Sequence, residues 1–309
     1  MQDLVLDAQS KKQKITPRTI QRGVFIGLML SIGIIQFLVF WVYVNFNSIL
    51  MAFQWQTKEG VAWGFDNFAR FFREMRIPEM ELALALKNTL LLFLVGTVIG
   101  LPMQLLFAYY LYKKVLWSKF FRVVFFLPSI ISAAVLVALF KYIVDYDGPV
   151  NEIISLITGR ETHIEFVVDE RYSFGTILFY VFWTGFGANM VLFSGAIHRI
   201  PTDVIEYSRL DGVGMTRELL QIIVPMIWPT ISTLIVFATA GLFTNQGPIL
   251  LFTDGQHKTM TIGFFIFDQV RVGSYYYPSA IGLVFTAIGF PLVMLVKWAI
   301  DKVYEDVEY

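Results

Sequence analysis

Long apolar stretches separated by polar segments dominate the pattern of residues along this chain. A helix needs roughly 20 mostly apolar residues to cross the hydrocarbon core of a membrane. Unbroken apolar runs favour helices over the alternating strands of a membrane barrel, because lipid leaves each backbone polar group to be satisfied within its own segment. The pattern therefore predicts an all-α membrane protein with six transmembrane helices, at residues 23–46, 88–112, 120–140, 173–197, 222–245 and 280–298.

The distribution of charge predicts how these helices are oriented. Short cytoplasmic loops of membrane proteins are enriched in lysine and arginine. The N-terminal arm and the turn after the second stretch are basic, through Lys11, Lys12, Lys14, Arg18 and Arg22 in the arm and Lys113, Lys114, Lys119 and Arg122 in the turn. Residues 145–171 are acidic instead. We therefore expect both termini in the cytoplasm, with an arm at 1–22, a membrane domain at 23–303 and a tail at 304–309.

Composition supports the membrane assignment and excludes several classes of function. Hydrophobic residues make up 56% of the chain and charged residues only 16%, a balance far from that of a soluble domain. Lys+Arg and Asp+Glu both number 24, so there is no net positive charge to attract nucleic acid. The chain has no cysteine, and the spacing of His163, His198 and His257 matches no metal motif. We find no arrangement of residues typical of an enzyme.

The sequence contains no recognisable energy source of its own. A carrier driven by protons or sodium is expected to hold ionisable side chains in the middle of its helices, and the apolar stretches lack them. A phosphate-binding loop needs a Gly-Lys pair, and none occurs in the chain. Any ATPase must therefore be another polypeptide. A stand-alone secondary carrier or channel, and a membrane-anchored scaffold, remain as alternatives.

The segment between the fourth and fifth apolar stretches is the most polar candidate for a site. Residues 200–214 predict a short helix in which Asp203 caps the first turn and Glu206 completes a capping box. Gly212 and Gly214 supply the backbone freedom that ends a helix. Such a helix could fit a groove on a partner protein or lie on the membrane surface, and physical reasoning alone leaves both possibilities open.

The spacing within this segment resembles the signature of inner-membrane components of binding-protein-dependent ABC importers. That signature is Glu-Ala-Ala, three residues, Gly, nine residues and Ile-x-Leu-Pro, and this chain has Glu206, Gly212, Ile222 and Pro225 at the same spacing. Tyr207 and Ser208 replace the two alanines, and Val224 replaces the leucine. Residues 64–68, 88–90, 121–128, 148–151 and 253–255 resemble further motifs of the sugar-importing branch.

The resemblance implies a fold, partners and a location. The fold is the type I ABC importer permease fold, in the bacterial cytoplasmic (inner) membrane. The partners are a second permease subunit, two cytoplasmic ATPase subunits that bind ATP and Mg, an extracytoplasmic solute-binding protein and a sugar, and this chain itself holds no cofactor. The helix near 202–214 would couple to the ATPase through Glu206, Tyr207, Ser208, Asp211, Gly212 and Pro225.

The resemblance also implies where a sugar would pass. The positions that match the sugar-contacting site of such a permease are Ser129, Ala133, Thr184, Gly185, Ala188, Phe243, Thr244 and Gly247. We add Trp183, Asn189, Asn245 and Gln246 because sugars bind flat aromatic faces and amide groups. The alternative for each position is helix packing, which small and aromatic residues commonly serve in membranes.

Overall fold

The first compact unit contains one long apolar helix. The computed structural model describes residues 17–58 and 60–303, and the chain forms two compact units, Met1–Met51 and Ala52–Tyr309. Helix α1 consists of Pro17–Gln36, the π-helical Phe37–Tyr43 and Val44–Ala52. Its side chains are predominantly apolar on every side of the helix, which is typical of a helix that crosses a membrane. The predicted arm (1–22) and tail (304–309) lie mostly outside the described residues.

The second unit begins with a β-hairpin, which corrects the expectation of an all-α chain. Strand β1 (Gln54–Thr57) pairs antiparallel with β2 (Gly60–Trp63). Gly60 has a φ of +131°, which only glycine adopts readily, and it closes the turn. Asn67, in helix α2 (Asp66–Met75), fixes the hairpin by donating to the carbonyl oxygens of Ala52 (3.1 Å) and Gln54 (2.7 Å). The protein is therefore mostly helical.

Three further long helices match predicted transmembrane stretches. They are α3 (Glu81–Tyr112), α7 (Ser173–His198) and α13 (Tyr276–Ile300), and with α1 they make four helices long and apolar enough to cross a membrane. Within α3, the segment Leu94–Gly100 is π-helical. Two of these helices, α3 and α13, begin seven and four residues earlier than predicted, at Glu81 and Tyr276.

The remaining two predicted stretches are bent rather than continuous. Helices α4 (Ser118–Ile130) and α5 (Ala133–Ile143) meet at 113°, and α9 (Met215–Met226) and α10 (Trp228–Ala240) meet at 72°. Residues 17–58 and 60–303 thus contain four candidate spans, or six if each bent pair is one span. Pro128 lies near the first bend and Pro229 directly after the second. Pro229 follows the second bend, where its ring disturbs the preceding turn, whereas the first bend comes after Pro128, at Ile131, whose backbone is extended.

Short helices occupy the connecting segments of the second unit. Buried apolar clusters join the longer helices around residues such as Phe193, Phe285 and Phe140. The short helices that pack at the ends of the longer ones are α6 (Pro149–Thr158), α8 (Thr202–Leu210), α11 (Ile249–Phe252) and α12 (Ile262–Arg271).

The polar segments of the second unit gather at the two ends of α3. At its C-terminal end, Lys113 Nζ lies 2.6 Å from Glu218 Oε2, which joins the basic turn to the start of α9. Near its N-terminal end, Asn88 Nδ2 donates to the carbonyl oxygens of Lys258 and Met260, both at 2.8 Å. Lys258 also pairs with Glu170 of the acidic segment (2.6 Å). Asn88 and Lys113 are 25 helical residues apart, which corresponds to about 38 Å. The polar segments at the two ends of α3 therefore form two separate faces. We call them the coupling face (113–117 and 200–218) and the acidic face (145–172 and 253–261).

Candidate coupling helix and membrane cavity

Helix α8 buries one side and exposes the other. Ile205 is buried in the cluster that contains Phe193, and Ser208 is buried with its hydroxyl donating to the carbonyl oxygen of Ile205 (2.8 Å). On the opposite side Tyr207 is 68% exposed and Leu210 is 82% exposed. The helix is therefore held on the protein by its inner side and offers a mixed apolar and charged surface.

The start of α8 differs from the prediction. Pro201 precedes the helix in an extended conformation, and no side chain caps it. The predicted capping box of Asp203 and Glu206 is therefore wrong, because Asp203 lies inside the first turn rather than before it. A carboxylate in the first turn still interacts favourably with the positive end of the helix dipole.

The end of α8 agrees with the prediction at Gly212. This residue has a φ of +71°, and its N–H donates to the carbonyl oxygen of Arg209 (3.1 Å). The next N–H, of Val213, donates to the carbonyl oxygen of Ser208 (3.0 Å). This pair of hydrogen bonds is a Schellman motif, in which glycine is strongly preferred. Gly214 has an ordinary φ of −72° and precedes α9 instead of ending α8.

The six predicted coupling residues divide between the surface and the layer beneath it. Glu206, Tyr207, Asp211 and Gly212 are exposed, whereas Ser208 is buried and Pro225 half-buried. Of the two residues that replace alanines, only Ser208 is at a closely packed position. Tyr207 projects outward and enlarges the exposed surface of α8.

A cavity of about 460 Å³ lies between α3, α7 and α10. Asn189, Thr244 and Asn245, three of the predicted path residues, are among the residues that line it. Thr89 and Thr97 of α3 are the other polar lining residues, and the rest of the wall is apolar. The cavity thus combines hydroxyl and amide groups with apolar surface, a mixture suited to a hydroxyl-rich ligand.

Asn189 is held at the cavity wall by a residue that sequence reasoning missed. Its Nδ2 donates to Oε1 of Gln104 at 2.9 Å, and Gln104 is only 4% exposed. A glutamine within the apolar residues of α3 was the available signal, because polar side chains inside membrane helices tend to bond to neighbouring helices.

The backbone after α10 is irregular beside the cavity. Asn245 Oδ1 accepts a hydrogen bond from the N–H of Gly247 (2.9 Å), whose φ is +60°. The carbonyl oxygen of Asn245 accepts from Thr261 Oγ1 (3.2 Å). Gln246 is exposed, and neither Gln246 nor Gly247 lines the cavity. The side chain of Asn245 therefore shapes this turn as well as the cavity wall.

Three predicted path residues on α7 lie outside the cavity lining. The ring of Trp183 stacks on Phe140 with centroids 6.1 Å apart. Thr184 Oγ1 donates to the carbonyl oxygen of Tyr180 (2.9 Å), within its own helix. Gly185 joins the two halves of α7.

The remaining predicted path residues also lie away from the cavity. Phe243 packs on Phe285 with ring centroids 4.6 Å apart. Ser129 lies beside Gly187, where an added Cβ would come within 2.9 Å of the serine hydroxyl. Ala133 and Ala188 are exposed. In this structure, Trp183, Phe243 and Ser129 make helix-packing contacts.

The described residues hold no cluster suited to metal binding. No group of three or more histidine, aspartate or glutamate side chains is placed to share an ion within residues 17–58 and 60–303. The polar side chains that line the cavity are neutral. The cavity is therefore a site for contacts to neutral polar groups.

Known proteins resemble this chain along nearly its whole length. The polygalacturonan/rhamnogalacturonan transport system permease protein YteP of Bacillus subtilis (strain 168) is 27% identical over 316 residues, covering 98% of this chain and 96% of the relative. The multiple sugar-binding transport system permease protein MsmF of Streptococcus mutans is 24% identical over 279 residues, covering 87% and 92%.

The fold is shared with a solved structure, and the family is shown by a sequence model. One chain of a bacterial alginate ABC transporter, solved in complex with an alginate pentasaccharide-bound periplasmic protein, superposes with a TM-score of 0.80 at 22% identity, covering 96% of this chain and 100% of that chain. Residues 94–307 match the model of the binding-protein-dependent transport system inner membrane component. This chain belongs to that family of membrane transport subunits.

Proposed function

We propose that this chain is the permease subunit of an ATP-driven, binding-protein-dependent importer of a sugar or oligosaccharide. The observation that carries the proposal is α8, whose inner side is anchored by Ile205 while Tyr207 and Leu210 are exposed at its outer side. A short helix fixed in this way can insert into a groove of a partner and move the helices on which it rests.

The partners follow from the family and from the similar proteins. Family members act with a solute-binding protein, and the alginate transporter was solved with its periplasmic binding protein. We infer that this chain pairs with a second permease and with two ATPase subunits, which bind ATP and Mg and carry out hydrolysis. The complex is located in the inner membrane of a bacterium.

The cavity supports a saccharide as the transported molecule. Hydroxyl and amide groups at Thr97, Asn189 and Asn245 can exchange hydrogen bonds with sugar hydroxyls, and Phe93 and Phe237 add aromatic surface to the wall. The two similar permeases named above are described as transporting polygalacturonan or rhamnogalacturonan and as part of a multiple sugar-binding system.

The topology that fits this function has six spans and both termini in the cytoplasm. Each bent helix pair then counts as one span. The coupling face contains the basic turn at 113–117, so the positive-inside rule places it and α8 in the cytoplasm. The acidic face then lies outside, where the solute-binding protein arrives.

Substitution of Leu210 by aspartate tests the proposal. Leu210 is 82% exposed on α8, so Leu210→Asp leaves the fold intact but places a charge in an apolar contact with the ATPase. Leu156→Asp is the matched control, because Leu156 is 78% exposed on α6 of the acidic face. We expect Leu210→Asp, but not Leu156→Asp, to release the ATPase during purification in mild detergent and to abolish ATP-driven saccharide uptake.

Other outcomes distinguish the alternatives. Saccharide flux through the isolated chain without ATP would identify a stand-alone carrier or channel. Recovery of a cytoplasmic partner that hydrolyses no ATP would favour a scaffold. Retention of the ATPase by Leu210→Asp would refute the role proposed for α8.

A further inference from the structure

A buried ion pair joins the end of α3 to the start of α9, beside α8. The carboxylate of Glu218 lies 2.5 Å (Oε1) and 2.6 Å (Oε2) from Lys113 Nζ, and the two side chains are 2% and 10% exposed. Tyr109 completes the group, because Lys113 Nζ lies 5.5 Å from its ring centroid and its hydroxyl donates to the carbonyl oxygen of Met215 (3.2 Å). Neither charged residue belongs to the motif that identifies the coupling helix.

Stability alone explains this arrangement poorly. Two charges lose their hydration when they are buried. Two apolar residues of similar volume therefore commonly stabilise a protein as much as a buried ion pair does, or more. Besides Lys113, Glu218 interacts with the hydroxyl of Tyr109, and Tyr109 belongs with Ile205 and Ile223 to the neighbouring buried cluster. An ion pair differs from such packing in being directional, because separating its partners leaves each charge buried and unpaired.

The position of the pair connects α8 to the cavity. Glu218 lies six residues after Gly212, which closes the turn after α8, and Lys113 directly follows the last residue of α3. Thr97 and Leu101 of α3 line the cavity, and Thr97 lies about 24 Å along the helix from Lys113 at 1.5 Å per residue. A displacement of α8 that moves Glu218 must therefore either carry α3 with it or break the pair.

We propose that Lys113 and Glu218 are a positioning pair that transmits movement of α8 to α3 and thereby to the cavity wall. This inference rests on the proposed function, in which an ATPase moves α8. Apolar contacts between α8 and the helices can slide, whereas the ion pair fixes the end of α3 to the segment that follows α8.

The test uses the complete complex of both permeases, the ATPase and the solute-binding protein in proteoliposomes. In Glu218→Gln the shape of the side chain is kept and its charge is lost. We expect the complex to assemble and hydrolyse ATP, while saccharide uptake per ATP hydrolysed falls about tenfold, which is within the range of measured couplings between sites. Lys119→Gln is the matched control, because Lys119 is an exposed lysine of α4, outside the coupling face, and it should leave uptake per ATP unchanged.

Two double variants separate a directional link from a stabilising contact. Lys113→Glu combined with Glu218→Lys restores an ion pair and should recover most of the uptake. Lys113→Met combined with Glu218→Leu removes both charges without leaving one unpaired, and should assemble normally but remain uncoupled. Full uptake per ATP in Glu218→Gln or in the apolar double variant would overturn the inference. It would also be overturned if the complex with Lys113→Glu and Glu218→Lys assembled but did not recover uptake per ATP.

A readout without saccharide distinguishes this inference from the proposed function. The chain has no cysteine, so Thr97→Cys places one thiol at the cavity wall. ATP should change the rate at which this thiol is labelled in the otherwise native complex, and Glu218→Gln should abolish the change. If the native complex imports no saccharide but shows this pattern, the proposed substrate is wrong and the link stands. If Glu218→Gln leaves the ATP-dependent change intact, the link is wrong.

Discussion

Replacement of Gly212 by alanine should destabilise the end of α8 through backbone strain alone. The φ of Gly212 is +71°, and a residue with a Cβ loses roughly 1–2 kcal/mol in this left-handed region. A Cβ at this position would meet no atom within 4 Å, so steric clash within the chain adds nothing. Alanine also reduces the freedom of the unfolded chain, which returns about 0.5 kcal/mol. The expected net loss in the free energy of unfolding is therefore about 1 kcal/mol.

Two further variants make this estimate testable by thermal unfolding in detergent. Gly214→Ala is the matched control, because Gly214 has a φ of −72° and an added Cβ there also meets no atom within 4 Å. Gly212→Asn should lose less than Gly212→Ala, because asparagine tolerates the left-handed region. We expect a midpoint lower by about 2–4 °C for Gly212→Ala and almost no change for Gly214→Ala. Equal midpoints for these two variants would refute the strain argument.

The same position separates strain from contact with the ATPase. Leucine at position 212 suffers the same backbone strain as alanine but projects from the exposed end of α8. If Gly212→Leu loses ATP-driven uptake while Gly212→Ala keeps it, the side chain obstructs the groove of the partner. If Gly212→Leu retains full transport with the ATPase bound, α8 is not the coupling element, and a helix lying on the membrane surface becomes the better interpretation.

Three further predictions concern the cavity, the loop beside it and the topology. Asn245→Ala should impair uptake without preventing assembly, because it removes the 2.9 Å hydrogen bond to Gly247, worth about 1 kcal/mol, as well as an amide at the cavity wall; unchanged uptake kinetics would exclude it from the path. Gly263→Ala should lower the unfolding midpoint, because its Cβ would lie 2.8 Å from two backbone oxygens, whereas Gly282→Ala, with no atom within 4 Å, should not; equal midpoints would contradict the clash. A cysteine at Lys114 should be labelled from the cytoplasmic side only, and labelling from outside alone would reverse the topology.

The sequence predicted the helices well where an apolar stretch was long enough to cross a membrane. Residues 173–197 coincide closely with α7. The bends were harder to predict, because a proline indicates where a helix is disturbed but leaves the angle to tertiary packing. Pro128 and Pro229 are associated with bends of 113° and 72°, whereas Pro291 lies within the unbroken α13. The hairpin at 54–63 is too short and too mixed in composition to be recognised from alternation.

The coupling segment was predictable at one end and not at the other. The end of a helix at Gly212 depends on a local backbone requirement that glycine meets, and the structure has the expected positive φ there. The predicted cap failed because Pro201 already sets an extended conformation before the helix. Aspartate is a suitable capping residue, but Asp203 lies two residues after the N-cap position, which Pro201 occupies.

Contacts between distant residues could not be predicted from a single sequence. Glu218 is near an apolar stretch, where an acidic residue would ordinarily reach water, and its partner lies 105 residues away. Gln104 and Asn189 are separated by 85 residues. Local patterns carry no information on such pairs, although each polar residue beside an apolar run indicates that a partner is needed.

Helix α3 contacts the acidic face, the cavity and the coupling face. Near its N-terminal end, Asn88 binds the backbone of the loop at 258–260, and Thr89 Oγ1 accepts from the N–H of Ile262 (2.9 Å). Its middle lines the cavity and contains the π-helical segment Leu94–Gly100. Lys113 binds Glu218 at its C-terminal end. A π-helical segment is an irregularity within an α-helix that occurs frequently at functional sites, and in α3 it lies at the wall of the cavity, between the two ends that bind the other segments.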